Sequence, residues 1–337
     1  MNHATTLTTP SLFSERLGKL VTVLNLQKLI KGLLVPFIAI LVFLMLWSAG
    51  ASQVHTSLGV FPGPAKVWEQ TKALWAEHQE ERVKQAAFYE RLQKRIDKAI
   101  ATVKPEEKIE RLKNRKYTGN ATFIDQIFTS LGTVATGFLL ASLLAIPLGI
   151  LIGMNNTLYS AFNPIIQLLK PVSPLAWLPL VTMVVSAVYV SADPMFSKSF
   201  LTSAITVTLC CLWPTIINTA VGVAGVDKDL INVSRVLRLG WLTKTVKIVL
   251  PSSIPMMFTG LRLSLSIGWM VLIAAEMLAQ NPGLGKFVWD EFQNGSSNSL
   301  ARIMVAVIAI GTIGFLLDRS MLWLQKAVSW DKNAILR

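Results

Sequence analysis

The chain has 337 residues, of which 52% are hydrophobic and only 15% are charged. Because an ordinary soluble domain carries about 25% charged residues, this composition excludes that class and predicts a membrane protein. The formal net charge of +13 does not indicate nucleic-acid binding, since the basic residues are not set among stacking aromatic residues, and membrane topology explains it better.

Uncharged runs recur along the chain at roughly 20 residues, a length that crosses the hydrocarbon core as a helix. None of them alternates like a barrel strand, so we predict an all-α integral membrane protein. Cys210 and Cys211 are adjacent within one such run, which fits neither metal-ligand spacing nor a disulfide framework and predicts packing residues. A membrane enzyme is disfavoured because no cluster of His, Cys and carboxylates converges on a span.

The N-terminal segment, residues 1–32, interleaves Arg16, Lys19 and Lys28 with leucines. This pattern predicts an amphipathic helix at the membrane interface. A cleaved signal peptide is the rival interpretation, but residues 33–51 form a long apolar segment and no convincing cleavage site precedes the next block. We therefore predict a retained first span.

Residues 52–125 form a hydrophilic block with fourteen Lys and Arg against ten Asp and Glu. Mixed charges and helix-forming residues predict a solvated helical hairpin outside the membrane. Pro105 followed by Glu106 and Glu107 suits the first turn of its second helix. A plain solvated insertion and a docking site for a partner protein both remain open as its role.

Residues 126–326 are predicted to form a membrane core of five further spans, giving six in total. The third span is irregular because it carries Pro171, Pro174 and Pro179, and proline interrupts the hydrogen-bond ladder of a helix. The other four run over about 126–154, 199–226, 254–279 and 300–324.

Lys and Arg are concentrated in the short segments that face the cytoplasm if the N-terminus lies inside. That orientation puts residues 52–125 outside, where their basic residues do not count against it because long translocated segments are largely exempt from the positive-inside rule. Both termini, including the tail at 327–337, are then cytoplasmic. The segment 227–251 is cytoplasmic as well.

This segment, 227–251, is predicted to contain a short basic helix between long apolar runs. Asp227 suits a helix N-cap, after which apolar residues recur at helical spacing while two arginines take the other face. The apolar positions are Leu230, Val233, Val236 and Leu237, and the arginines are Arg235 and Arg238. A cytoplasmic helix of this kind indicates a docking surface for a partner.

The same segment resembles the signature of permease subunits of type I ABC importers. That signature reads Glu-Ala-Ala, three residues, Gly, nine residues and then Ile-x-Leu-Pro. The spacing matches throughout, although the Glu and the Gly are replaced. The matched positions are Asn232, Val233 and Ser234, then Arg238, then Ile248, Leu250 and Pro251.

Other stretches resemble one branch of that family, which imports nitrate, cyanate, bicarbonate, taurine and aliphatic sulfonates. The resemblance covers nearly the full length apart from the hydrophilic insertion, and it is greatest to the nitrate permeases of cyanobacterial type. The stretches include PGP at 62–64, IPLG at 146–149, PLAWLP at 174–179, WP at 213–214 and AAEM at 274–277.

The resemblance implies the six-helix fold of the type I importer permeases, placed in the bacterial inner membrane. It implies pairing with a second copy or a close homologue, two cytoplasmic ATPase subunits that bind ATP and Mg, and an outside substrate-binding protein. The chain itself is predicted not to be an enzyme, since Gly283 to Lys286 lack the spacing of a phosphate loop and Phe287 stands at its hydroxyl position. Coupling to the ATPase is assigned by the resemblance to Asn232, Val233, Ser234, Arg235 and Arg238.

The family implies import by alternating access, and we expect nitrate or nitrite as the imported anion. Bicarbonate, and then taurine or another sulfonate, are the alternatives within the family. An ATP-independent anion channel or carrier is the alternative of another class.

Polar residues inside the spans are the best indicators of the solute path, because they are costly in hydrocarbon. The candidates are Arg262, Ser266, Trp269 and Glu276 on one stripe of the fifth span, Lys170, Ser173 and Trp177 on the third, and Asn218 in the fourth. Two cations would favour a small anion. Structural roles are also open: Lys170 and Arg262 can reach lipid phosphates, and Glu276 can pair with Arg302.

Overall fold

The computed structural model describes residues 32, 34–56, 59–102, 105–190, 195–296 and 298–328. The amphipathic helix predicted over 1–32 and the tail predicted over 327–337 lie almost entirely outside these residues. The chain divides into two compact units, and the division along the chain falls between Val67 and Trp68.

The first unit contains a membrane-length helix, α1 (Leu34–Ala51), in agreement with the predicted first span. A small antiparallel hairpin follows, with β1 (His55–Thr56) paired to β2 (Gly59–Val60). Helix α2 (Pro64–Ala101) begins directly after it. The hairpin was not predicted, since strands of two residues are too short to show a periodic pattern.

The second unit is built from helices throughout its described part. After α2 they are α3 (Glu106–Lys113), α4 (Phe123–Met154), α5 (Asn156–Leu169), α6 (Pro174–Val188), α7 (Lys198–Ala224), α8 (Lys228–Val236), α9 (Trp241–Lys244), a π-helical turn (Thr245–Val249), α10 (Leu250–Ala279), α11 (Leu284–Asn294) and α12 (Ser299–Val328). Five helical stretches of the described chain are long and apolar enough to cross a membrane, and there are six if the bent pair α5–α6 is counted as one span. This agrees with the six predicted spans.

The hydrophilic block forms one long helix, α2, and the short helix α3. Helix α3 begins at Glu106, directly after Pro105, and carries Glu106 and Glu107 in its first turn, which confirms that part of the prediction. Polar contacts attach α2 to the membrane helices: Arg82 pairs with Asp125 at 2.5 Å, and Glu77 of α2 pairs with Arg302 of α12.

The bend between α5 and α6 measures 97°. Pro171 and Pro174 explain its position, because proline lacks an N–H and disfavours helical backbone in the residue before it. The Ser173 side chain caps α6 by accepting a hydrogen bond from the Leu175 N–H at 3.3 Å. The predicted irregular third span is confirmed.

Helices α4, α7 and α10 form the core of the bundle. Small residues let their backbones approach, as in other membrane helix pairs: a Cβ on Gly137 would lie 2.7 Å from the Ala204 carbonyl oxygen. Cys210 and Cys211 are both buried and unbridged, and the Cys211 thiol lies 3.1 Å from the Ser264 carbonyl oxygen. The prediction that the cysteines are packing residues is therefore confirmed.

Candidate functional site

Helix α8 is the predicted docking helix, and its beginning follows from the sequence. The Asp227 carboxylate accepts a hydrogen bond from the Asp229 N–H at 2.8 Å, which satisfies one of the N–H groups that have no partner within the helix. The predicted N-cap is confirmed.

The end of α8 is closed at Arg238, where the importer signature has glycine. Arg238 adopts a positive φ of 49°. Its N–H bonds to the Arg235 carbonyl and the Leu239 N–H bonds to the Ser234 carbonyl, both at 3.0 Å. This pair of bonds is the Schellman motif, whose left-handed residue is usually glycine because a side chain is strained there. The structure thus gives a physical reason for the glycine of the signature. Arg238 adopts the left-handed conformation at this position although it carries a side chain.

Arg238→Gly should therefore stabilise the chain, by about 1 kcal/mol, since glycine adopts the left-handed conformation without the strain of a side chain. The matched control is Arg235→Gly, which places the same substitution inside the helix and should destabilise it by up to about 1 kcal/mol. Chemical denaturation of the detergent-solubilised chain measures both. Equal effects of the two substitutions would contradict the assigned role of position 238.

Helix α8 packs against the end of α7 and the π-helical turn through one narrow side. Ser234 is 2% exposed and donates a hydrogen bond to the Ile231 carbonyl at 2.6 Å. Ile231 packs against a cluster centred on Val223, Val226 and Val249. Of the five predicted coupling residues, Ser234 is thus directed into the chain.

The apolar positions predicted in α8 and just after it face outward. Leu230, Val233, Val236 and Leu237 are between 44% and 81% exposed; we call these four side chains the apolar stripe. Asn232, Arg235 and Arg238 are exposed beside them. Four exposed apolar side chains on one short segment, rimmed by polar residues, are typical of a protein contact surface.

The chain after α8 returns to the bundle through the Ile-x-Leu-Pro part of the signature. The backbone forms a π-helical turn over Thr245–Val249 immediately before α10, and Pro251 stands in the first turn of that helix. A proline removes one N–H from the ladder, which explains why the irregular turn occurs here. Helical backbone is continuous from Trp241 to Ala279, so the helix that contains the fifth span begins earlier than the predicted start near residue 254.

Arg262, one of the predicted path residues, forms a two-pronged ion pair with Asp318 of α12. Its Nε donates to Oδ1 at 3.0 Å and its Nη2 donates to Oδ2 at 3.2 Å. Both side chains are less than a third exposed. The pair joins α10 to α12 and provides the charge partner that a guanidinium needs near hydrocarbon.

Glu276 lies deep between helices and is 1% exposed. Its carboxyl group accepts hydrogen bonds from the Ser130 hydroxyl at 2.8 Å and from the Gly285 N–H at 3.0 Å. Arg302 pairs with Glu291 instead, at 2.7 Å, so the alternative of a Glu276–Arg302 pair is wrong. Gly283, with φ of 150°, comes so close that a Cβ there would clash with the Glu276 carboxyl group.

The remaining path candidates occupy three different surroundings. Trp269 is buried and donates its indole N–H to the Ile310 carbonyl at 3.0 Å, while Ser266 is exposed on the same helix. Asn218 donates to the Pro214 carbonyl of its own helix at 2.8 Å. Lys170, Ser173 and Trp177 lie together at the α5–α6 bend, the first two exposed and the tryptophan half-buried.

Residues 145–330 match the family described as the inner membrane component of binding-protein-dependent transport systems. The chain belongs to this family. It is also 33% identical over 302 residues to the bicarbonate transport system permease protein CmpB of Synechococcus elongatus, covering 89% of this chain and 90% of that protein. The nitrate import permease protein NrtB of Leptolyngbya laminosa is 39% identical over 208 residues, covering 62% of this chain and 70% of that protein.

The fold of the permease is also found in a solved structure of the MetNI methionine ABC transporter in inward-facing conformations. The match has a TM-score of 0.53 at 12% identity and covers 61% of this chain and 96% of the matched chain. The predicted type I importer permease fold and the predicted nitrate and bicarbonate branch are both confirmed by these matches.

Sequence reasoning missed the partners of the permease's buried polar residues. Asp318 and Ser130 were not predicted as contacts because they lie 56 and 146 residues away from Arg262 and Glu276 along the chain. Helical periodicity identifies which residues share a face, but it does not say which other helix covers that face. The charge of Asp318, directly after the apolar stretch 303–317 of α12, was the available signal.

Proposed function

We propose that the permease forms the membrane path of an ATP-driven importer of nitrate or nitrite, together with a second permease copy. Two ATPase subunits would dock on the cytoplasmic side, and a substrate-binding protein would deliver the anion from outside, with both chain termini in the cytoplasm. The observation that carries the coupling part of this proposal is the exposure of the apolar stripe on α8 and just after it.

The ATPase contact follows from the surface of α8. The apolar stripe would enter a cleft of the ATPase, while Asn232, Arg235 and Arg238 contact its rim. Because Ile231 packs against Val223 at the end of α7 and Val249 just before α10, movement of the ATPase would reach these two spans directly. Hydrolysis then alternates the path between outward and inward access.

Nitrate is the first choice of substrate because of the resemblance to nitrate permeases, including the 39% identity to NrtB. Bicarbonate is the second candidate, and a specific observation favours it: the similarity to CmpB extends over 90% of that protein. Taurine or another sulfonate is the remaining alternative within the family.

Reconstituted transporter in vesicles tests the choice of substrate. ATP hydrolysis is measured with the binding protein and, separately, nitrate, nitrite, bicarbonate or taurine. We expect nitrate and nitrite to stimulate hydrolysis. Stimulation by bicarbonate alone would move the permease to the second candidate, and transport that persists without an ATPase subunit would support the ATP-independent alternative.

For the path itself, we propose that Arg262 and Lys170 attract the anion. The walls would be formed or supported by Ser173, Trp177, Asn218, Ser266, Trp269 and Glu276.

Arg262→Ala should reduce uptake by about tenfold, the effect of losing about 1.4 kcal/mol of anion attraction. Lys170→Ala should act in the same direction while leaving assembly intact. Uptake of labelled anion into vesicles measures both.

The ion pair with Asp318 provides a control that separates the two roles of Arg262. Exchanging the charges, Arg262→Asp with Asp318→Arg, keeps an ion pair between α10 and α12 but moves the cation to the other helix. If Arg262 contacts the anion, assembly is recovered and uptake stays low. Full recovery of uptake would show that Arg262 serves only the ion pair.

A further inference from the structure

A cavity of about 480 Å³ lies beside α8. Its walls come from the ends of α4 and α7, the start of α5, and helices α8 and α9. Met154 and Val249 provide apolar parts of the wall, while most of the charged and amide groups come from α8.

Three cations line this cavity, and no carboxylate lines it. They are Lys228, Arg235 and Lys244, accompanied by the side-chain amides of Asn156 and Asn232; we call the site the basic cavity. Within the part of the chain that the structure describes, none of the three cations forms an ion pair within 4.0 Å. The neighbouring Asp227 uses its carboxylate to cap α8.

The arrangement of these groups follows from the helix. Lys228, Asn232 and Arg235 stand at spacings of four and three residues, so they share one side of α8. Lys228 is also the first residue of that helix, where the positive end of the helix dipole favours an anion. Like charges facing one cavity repel each other, and a bound anion would remove this repulsion.

We propose that the basic cavity binds a phosphate-bearing anion. An arginine offers paired N–H donors and lysines offer point charges, a combination suited to phosphate. The volume is far larger than a single inorganic ion needs and falls within the usual range for small organic ligands. The ligand is therefore a phosphate group carried on a larger molecule, either the headgroup of an anionic lipid or a soluble phosphate ester.

Binding at this place would act on the docking helix. The anion would join α8 to Asn156 at the start of α5 and to Lys244 of α9, and so stabilise the arrangement of these helices in the structure. A ligand that prefers one arrangement shifts the population toward it. This inference goes beyond the transport role, and it holds whichever anion the permease imports.

The test uses the full chain in lipid nanodiscs, with inorganic phosphate as the soluble probe and phosphatidylglycerol as the lipid probe. Discs of phosphatidylcholine alone are compared with discs that also contain phosphatidylglycerol. Equilibrium dialysis measures labelled phosphate, and native mass spectrometry measures retained phosphatidylglycerol. The variants are K228Q/K244Q, R235Q and the control K247Q/K326Q, which removes two exposed cations outside the basic cavity.

We expect the wild type and the control to bind alike, and K228Q/K244Q to bind at least about tenfold more weakly, as expected for the loss of two ionic contacts. Phosphate bound equally in both kinds of disc identifies a soluble ligand, whereas retained phosphatidylglycerol that excludes phosphate identifies a lipid headgroup. R235Q gives the same answer if the double variant does not fold. Absence of binding to the wild type, or equal weakening in the control, would overturn the proposal.

Discussion

Glu276→Ala is expected to destabilise the permease by about 3 kcal/mol, because it leaves the buried Ser130 hydroxyl and the Gly285 N–H without their acceptor. Both donors come from elements other than α10, which carries Glu276. The carboxyl group therefore joins the start of α4 and the start of α11 to the end of the fifth span. Chemical denaturation of the detergent-solubilised chain measures the change.

Two further variants make this expectation specific. Glu276→Gln keeps the shape and one acceptor oxygen, so its effect should be smaller than that of alanine. Glu110→Ala removes an exposed carboxylate on α3 and should change stability by less than about 0.5 kcal/mol. If Glu276→Ala were as stable as the wild type, the desolvation of the carboxyl group would offset the two hydrogen bonds, and Glu276 would have no structural role.

Glu276 also shows how far sequence reasoning reaches in this protein. A carboxylate within an apolar run was recognisable as costly, and its place on the Arg262 stripe followed from helical spacing. Its partners did not follow, since Ser130 is 146 residues away and the turn at Gly283 is defined only by the folded backbone. Spans, caps and the α5–α6 bend depend on local sequence and were predictable. The pairing of helices depends on which faces meet in three dimensions.

For Arg238 the sequence predicted the position in the signature, but not the physical reason why that position is usually glycine. The spacing of the signature placed Arg238 at the glycine position, but a spacing does not show why glycine is preferred. The positive φ at Arg238 and the two hydrogen bonds that close α8 supply the reason. The substitution leaves the shape of the docking helix intact, which supports the proposal that the permease still engages an ATPase.

The apolar stripe carries the second large expected effect. Val233→Asp with Val236→Asp should weaken ATPase binding by about a hundredfold, because burying two unpaired carboxylates in the contact costs at least about 3 kcal/mol. Both valines are at least half exposed, so the free permease should fold as the wild type does. Co-purification and a titration of ATPase against permease in nanodiscs measure the loss. Leu242→Asp, an exposed position on neighbouring α9, is the control.

Reversing the basic residues separates the apolar stripe from the charges beside it. Arg235→Glu with Arg238→Glu alters exposed groups, and charges at the rim of a contact affect the association rate and its salt dependence more than the final affinity. We therefore expect a clear loss at low salt that diminishes as salt is added, whereas the valine variant should stay defective at every salt concentration. If the arginine variant instead abolished binding at all salt concentrations and the valine variant bound normally, the docking contact would be the basic face of α8, and the apolar stripe would have to serve another surface.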